Sequence, residues 1–235
     1  MKLRIFTLAA LFIFVAAIAT ANNVSDFMYE GIAKVKGHPM DFWTTINFNG
    51  DQARIKLASS VTIKGGYSLT SNGDKCDLIV DSTTGKHIEL SSADGGSTFE
   101  GTVPFRGGTA QVWLLRVPKE HAPCSMADNE LDKIVGSSDG YTAFVRIKMQ
   151  NMLMSATSDF SLDVADHSFS MKCDTEGLQK IFSTMHGSYK VADGKIVMED
   201  SIGMTVTGTV YDNGSYIIIP MASSAGTEIE LVLIR

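Results

Sequence analysis

Five consecutive residues, Gly136-Ser137-Ser138-Asp139-Gly140, match the Gly-x-Ser-x-Gly spacing of a serine nucleophile elbow. That motif works because a strand-to-helix turn projects the serine hydroxyl beside an oxyanion hole. Here the order is reversed: a short helical run ends at Gly136 and a strand begins near Tyr141. The five residues therefore read as a flexible connector. The histidines His38, His87, His121, His167 and His186 stand at no metal-ligand spacing from one another or from a cysteine. Asp163, Asp166 and His167 read as a solvated turn at a strand end. Asp51, Asp74, Asp77, Asp81 and Asp94 could face calcium in loops, yet no Asp-x-Asp-x-Asp-Gly loop is present. Cys76, Cys124 and Cys173 permit one disulfide and leave one thiol, with all three pairings open. None has an identifiable base beside it to make a thiolate nucleophile. The expectation is a protein with no catalytic set, no cofactor and no metal.

Methionine is the more informative residue type. Eight of the twelve methionines lie at Met149 or later. A flexible thioether fills irregular apolar space and lines surfaces that adapt to varied ligands. Met149, Met171, Met185 and Met198, with Phe160 and Phe169, are the candidate lining of an apolar ligand cavity. Trp43 and Trp113 stand among apolar neighbours and read as core or interface anchors.

The elements that must position these residues are strands. Apolar and polar residues alternate through Ala33–Lys36, Gln52–Leu57, Val61–Lys64, Tyr67–Thr70, Val145–Lys148, Phe160–Val164 and Glu228–Leu233. A period of two marks a strand with one buried face. Asn49-Gly50, Asn72-Gly73, Asp94-Gly95, Asp139-Gly140, Asp193-Gly194 and Asn213-Gly214 punctuate the runs, and such pairs accept the positive φ of hairpin turns. Two short helices are expected, over Asp128–Val135 with a stop at Gly136, and over Thr175–His186 with a stop at Gly187. The fold class is all-β with these two helices, an antiparallel meander closing as barrels. One large β-sandwich is the alternative.

Parts of the chain recur. Tyr29 leads to Lys34-Val35-Lys36 as Tyr141 leads to Arg146-Ile147-Lys148. Gly85-Lys86 recurs as Gly194-Lys195, Gly101-Thr102-Val103 as Gly208-Thr209-Val210, and Leu114-Leu115-Arg116 in kind as Leu233-Ile234-Arg235. The last interval differs between the copies, which an insertion around Asp212–Gly226 would absorb. The expected organisation is residues 1–21 as a signal peptide, 22–120 and 139–235 as two similar β domains, and 121–138 as a linker with the first helix.

The signal-peptide reading rests on Lys2 and Arg4, the apolar run Ile5–Ile18 and the Ala19-Thr20-Ala21 end. Without Lys2 and Arg4 the 20 basic residues become 18 against 26 acidic ones, a formal charge of −8. A mild acidic excess with no basic cluster in the sequence argues against a nucleic-acid partner. No later apolar run is long enough for a spanning helix, so the expectation is release to a periplasm or outside the cell.

The run Gly187-Ser188-Tyr189-Lys190-Val191-Ala192-Asp193-Gly194-Lys195-Ile196, with Gly208-Thr209-Val210 and Leu231-Val232-Leu233-Ile234-Arg235, resembles the lipocalin-like (calycin-like) barrels of bacterial exported proteins. The resemblance covers the C-terminal half and reaches the N-terminal half through the repeat. It implies a barrel whose interior holds a small apolar molecule. It also implies a basic residue of the last strand, Arg116 or Arg235, packed over a tryptophan; Trp43 lacks the family's preceding Gly-x. The functional expectation is a secreted or periplasmic, non-catalytic binding protein for a small hydrophobic ligand. Two alternatives stand beside it: an adhesion or envelope protein that grips a macromolecule through its sheet surfaces, and a secreted hydrolase.

Overall fold

Period-two alternation becomes sixteen strands in the computed structural model, which describes residues 26–136, 140–150, 152–163, 165–173, 184–224 and 227–235. Eight of them form the first set: β1 (Phe27–Val35), β2 (Asp41–Asn49), β3 (Gln52–Leu57), β4 (Val61–Asn72), β5 (Lys75–Ser82), β6 (His87–Ser92), β7 (Thr98–Phe105) and β8 (Gly108–Pro118). Helix α1 (Asp128–Val135) follows. The second set is β9 (Thr142–Met149), β10 (Met152–Asp163), β11 (Ser168–Lys172), β12 (Thr184–Ala192), β13 (Lys195–Asp200), β14 (Thr205–Tyr211), β15 (Tyr216–Ser224) and β16 (Thr227–Ile234).

Each strand pairs antiparallel with the next of its set, and each set closes on itself. β8 returns to β1 from Phe27↔Pro118 to Val35↔Ala110, and β16 returns to β9 from Thr227↔Met149 to Ile234↔Thr142. The result is two eight-stranded up-and-down barrels, barrel 1 and barrel 2, and the single-sandwich alternative falls away. Closure leaves neither set with an open sheet edge. The barrels touch through β2 and β10, the second strand of each, paired antiparallel at Phe42↔Met154 and Asp41↔Ser155.

Inward positions follow the alternation. In β3, Ala53, Ile55 and Leu57 are buried while Gln52, Arg54 and Lys56 are exposed. An eight-stranded barrel is just wide enough to be filled by its own side chains. Barrel 1 is filled with aromatics: Tyr29 meets Phe99 and Phe48 at ring-centroid distances of 5.0 and 6.1 Å, Phe48 meets Tyr67 at 4.7 Å, and Phe42 meets Phe105 at 5.3 Å.

The five dipeptide turn signals that lie wholly within the described residues fall between strands, with positive φ at Gly50, Gly73, Gly95, Gly194 and Gly214. Asp139 lies outside the described residues. So do Ser137 and Ser138, although the helix-before-strand order around them is as the sequence reads. Helix α1 occupies Asp128–Val135 with Gly136 as its C-cap, as expected. The second expected helix does not fit at its end. Thr184, Met185 and His186 belong to β12, where they pair with Lys172, Met171 and Ser170. Cross-strand hydrogen bonding there overrides the local helical spacing; residues 174–183 lie outside the described residues.

The two barrels repeat one another in detail. Tyr29, on the first strand of barrel 1, donates its hydroxyl to the Gly96 carbonyl at 2.7 Å. Tyr141, just before the first strand of barrel 2, donates to the Gly214 carbonyl. Both glycines sit between the sixth and seventh strands of their barrels at φ of 82° and 88°, a conformation that favours glycine. Arg116, on the last strand of barrel 1, and Arg235, just after that of barrel 2, also match, lying 4.8 Å from the Phe27 ring and 5.0 Å from the Tyr141 ring. Each packs over an aromatic at the start of the first strand, and neither over a tryptophan. Two of the repeat pairs read in the sequence are out of phase. Gly85-Lys86 precedes a sixth strand and Gly194-Lys195 a fifth, while Gly101-Thr102 is on a seventh and Gly208-Thr209 on a sixth. The extra length of the second copy falls between Lys172 and Thr184, against Leu57 and Val61 in the first. It does not fall around Asp212–Gly226, where a short turn joins β14 to β15.

Burial pushes the Tyr29 and Tyr141 hydroxyls from 10.0 up to about 12, with Arg116 and Arg235 respectively pulling back down. The folded form therefore resists losing these protons. Their contribution to stability is intact below pH 10 and is lost as pH rises through about 12. Tyr29→Phe is expected to lower stability at neutral pH by about 1–3 kcal/mol, because the buried Gly96 carbonyl loses its donor. Tyr141→Phe should cost less, its ring being less buried. Urea unfolding followed by circular dichroism checks both, and alkaline titration of tyrosinate absorbance should show these phenols ionising together with unfolding.

Candidate functional site

The outward-facing side chains divide into a dry seam and open grooves. The seam lies between the barrels. Ile32, Trp43, Leu115 and Val117 of barrel 1 pack with Phe144, Tyr216, Val232 and Ile234 of barrel 2 as a buried cluster separate from the barrel interiors. Trp43 meets Phe144 edge-on at 5.5 Å, and the Arg146 guanidinium lies 5.1 Å from the Trp43 ring. Tyr216 donates to the buried Glu30 carboxylate at 2.6 Å, and Arg146 pairs with Glu230 at 2.7 Å. Desolvation, with Glu30 beside it, pushes the Tyr216 hydroxyl far up, so it stays a donor. His121 stacks on Tyr216 with ring centroids 4.1 Å apart and bonds Asp212 at 3.0 Å. These groups are titratable and clustered, and the buried Glu30–Tyr216 bond ties one barrel to the other.

Where the two curved walls part, a groove opens. It holds about 650 Å³ and is lined by Ile32, Lys34, Ser91, Glu100, Gly101, Thr102, Gln111, Val112 and Trp113, with Thr157 of β10 opposite. Strand register explains the lining. Trp43, Ile32, Trp113, Glu100, Ser91 and Asp77 are successive cross-strand partners over β2, β1, β8, β7, β6 and β5. Lys34, Gln111 and Thr102 form the neighbouring row. The row therefore grades from the dry seam, past the half-buried Trp113, to exposed carboxylates. Two smaller grooves of about 360 and 390 Å³ continue it over Asp77, Ile79, Glu89, Ser91, Ser92 and Lys75. They follow the weakest seam of barrel 1, since β6 and β7 pair only at Leu90↔Gly101 and Ser91↔Glu100. Beside that end His87 bridges Asp81 at 2.7 Å and Glu89 at 3.0 Å, and those bonds, Asp81 first, raise its pKa.

The candidate cavity residues of the sequence lie in barrel 2. Phe160, Met171 and Met185 are successive cross-strand partners on β10, β11 and β12, next to Phe169. Met171, Phe169 and Met198 are buried, while Phe160 and Met185 are half-buried against the same core. Met149 stands apart at the end of β9, 41% exposed. All three cysteines are free, Cys76 and Cys173 buried in different barrels. Among the described residues no three His, Cys, Asp or Glu side chains converge as a metal site.

No family model, no curated protein and no solved structure matches this chain. The groove has to be read from its own chemistry. An aromatic face, an amide, hydroxyls, one ammonium and carboxylates on a convex sheet can hold a ligand. Sequence reading placed Trp113 as an anchor and missed Glu100, Ser91 and Gln111. Their role depends on register between strands, which the alternation of a single strand does not carry.

Proposed function

We propose that this chain is an exported, non-catalytic binding protein that holds a macromolecular partner of the cell envelope across the outer groove between its barrels. The supporting observation is the groove of about 650 Å³ in which Trp113, Gln111, Lys34 and Glu100 share one outward face beside Thr157. The aromatic filling of barrel 1 supports placing the ligand outside that barrel. Export rests on the N-terminal residues 1–21, which lie outside the described residues. A central aromatic flanked by polar groups is the usual anchor of such a surface. In a binding screen of the full mature chain against immobilised envelope glycans and peptides, Trp113→Ala and Glu100→Gln should each weaken any captured partner about tenfold or more. Unchanged affinity in both variants, with melting temperature intact, would place the partner elsewhere.

A second reading has its own observation. The Phe160–Met171–Met185 row and Phe169 form one apolar wall of barrel 2, the lining that a lipocalin-like carrier of a small hydrophobic molecule needs. Displacement of a fluorescent fatty acid, lost on Met171→Gln, separates this reading from the first.

A further inference from the structure

We propose that a second groove, on the opposite wall of barrel 1, is a binding site for a phosphate group. It holds about 550 Å³ and is lined by Asn47, Phe48, Asn49, Gln52, Ala53, Arg54, Lys64 and Lys119. Asn47, Arg54 and Lys64 are successive cross-strand partners on β2, β3 and β4, with Arg54 and Lys64 exposed on the outer face. Two cations placed directly opposite one another on a sheet repel and destabilise it. Neither forms an ion pair among the described residues. A third cation joins them from a distant part of the chain: Lys119, after β8, donates from its Nζ to the Phe48 carbonyl at 2.9 Å and is held at the rim. Lys56, two residues from Arg54 on the same face, adds to the positive field. The nearby carboxylates are Asp51, which accepts from the Gln52 amide at 3.3 Å, and Asp81, which stands opposite Gly66 beside Lys64 and is bonded to His87 at 2.7 Å.

The chain as a whole is acidic, with formal charge −6, so three cations at one groove stand against the general field. They are scattered in sequence; register brings Arg54 and Lys64 together, and the Phe48 carbonyl holds Lys119 beside them. A guanidinium offers two parallel N–H donors to phosphate oxygens, an ammonium offers a point charge, and Asn47 and Asn49 add neutral donors. A phosphate between Arg54 and Lys64 would turn their mutual repulsion into attraction to a shared anion. The groove has room for the phosphate and part of the sugar or glycerol that carries it.

The test is an NMR titration of the full mature chain with inorganic phosphate, against sodium chloride at matched ionic strength. Saturable shifts centred on Asn47, Arg54 and Lys64, with a millimolar midpoint, are expected. The Arg54→Gln/Lys64→Gln double variant should bind at least about tenfold more weakly. It should melt no lower than the parent, because the facing charges are gone. Shifts that never saturate, that chloride reproduces, or that survive in the double variant would overturn the proposal. Co-sedimentation with phosphatidylglycerol vesicles but not phosphatidylcholine vesicles would identify a lipid headgroup as the source. Saturable phosphate binding without sedimentation would identify a soluble phosphate-bearing ligand.

Discussion

Replacing Trp43 by alanine will lower stability by about 3–5 kcal/mol and loosen the two barrels from one another. Trp43 is 2% exposed although it points out of barrel 1, because barrel 2 covers it. Its removal leaves a cavity between two rigid walls that cannot collapse together without moving whole barrels. It also takes away the edge-on contact with Phe144 and the ring beneath Arg146. Arg146 would then keep its pair with Glu230 but lose apolar support on one face. The neighbouring Glu30–Tyr216 bond depends on the same exclusion of water. Among the described residues direct strand pairing between the barrels is confined to Phe42↔Met154 and Asp41↔Ser155, so the side-chain seam carries most of the cohesion. Urea unfolding should change from one transition to two, with an earlier loss of near-ultraviolet tryptophan signal. A single transition at the parent midpoint would show that the seam is not what couples the barrels.

Gly65→Ala and Gly187→Ala should each cost about 3 kcal/mol, the upper range for forcing atoms into a packed site. A Cβ on Gly65 would stand 2.0 Å from the Asp81 carbonyl oxygen, and one on Gly187 would stand 2.0 Å from that of Glu199. Both glycines are on fourth strands, facing fifth strands at Ser82 and Asp200. The obstacle is backbone, which cannot rotate away as a side chain can, so the barrel wall itself must open. Gly66 is the internal control: a Cβ there meets only the Asp51 carbonyl oxygen, at 4.0 Å. Gly66→Ala should therefore be close to neutral, and thermal melting of the three variants checks the contrast. Equal melting of Gly65→Ala and Gly66→Ala would refute the close-approach account.

The seam was partly legible before folding. Most strands alternate, but Leu114-Leu115, Leu231–Ile234 and Ile217–Ile219 run apolar without a break. A strand apolar on both faces is one that is covered on both faces. These are the strands β8, β16 and β15 that bring Leu115, Val232, Ile234 and Tyr216 to the barrel contact. The grooves were not legible. Arg54 and Lys64 stand ten positions apart and Trp113 and Glu100 thirteen, and neither interval signals contact until the register is known.

The sequence by itself determined most of the strands, though not the start of β12, together with the turns and helix α1. Each depends on residues close together along the chain: an apolar residue at every second position, a glycine where φ is positive, a glycine stop after Val135. It also carried two of the matches between the barrels, the tyrosines near their starts and the arginines near their ends. Tertiary structure alone decided that eight strands close on themselves twice, and that the outer faces divide into a dry seam, a Trp113 groove and a cationic groove. The physical reason is that an outward side chain acquires its neighbours from the next strand and the next barrel. Those partners are set by hydrogen-bond register and wall-to-wall packing, and no local pattern along one strand encodes either.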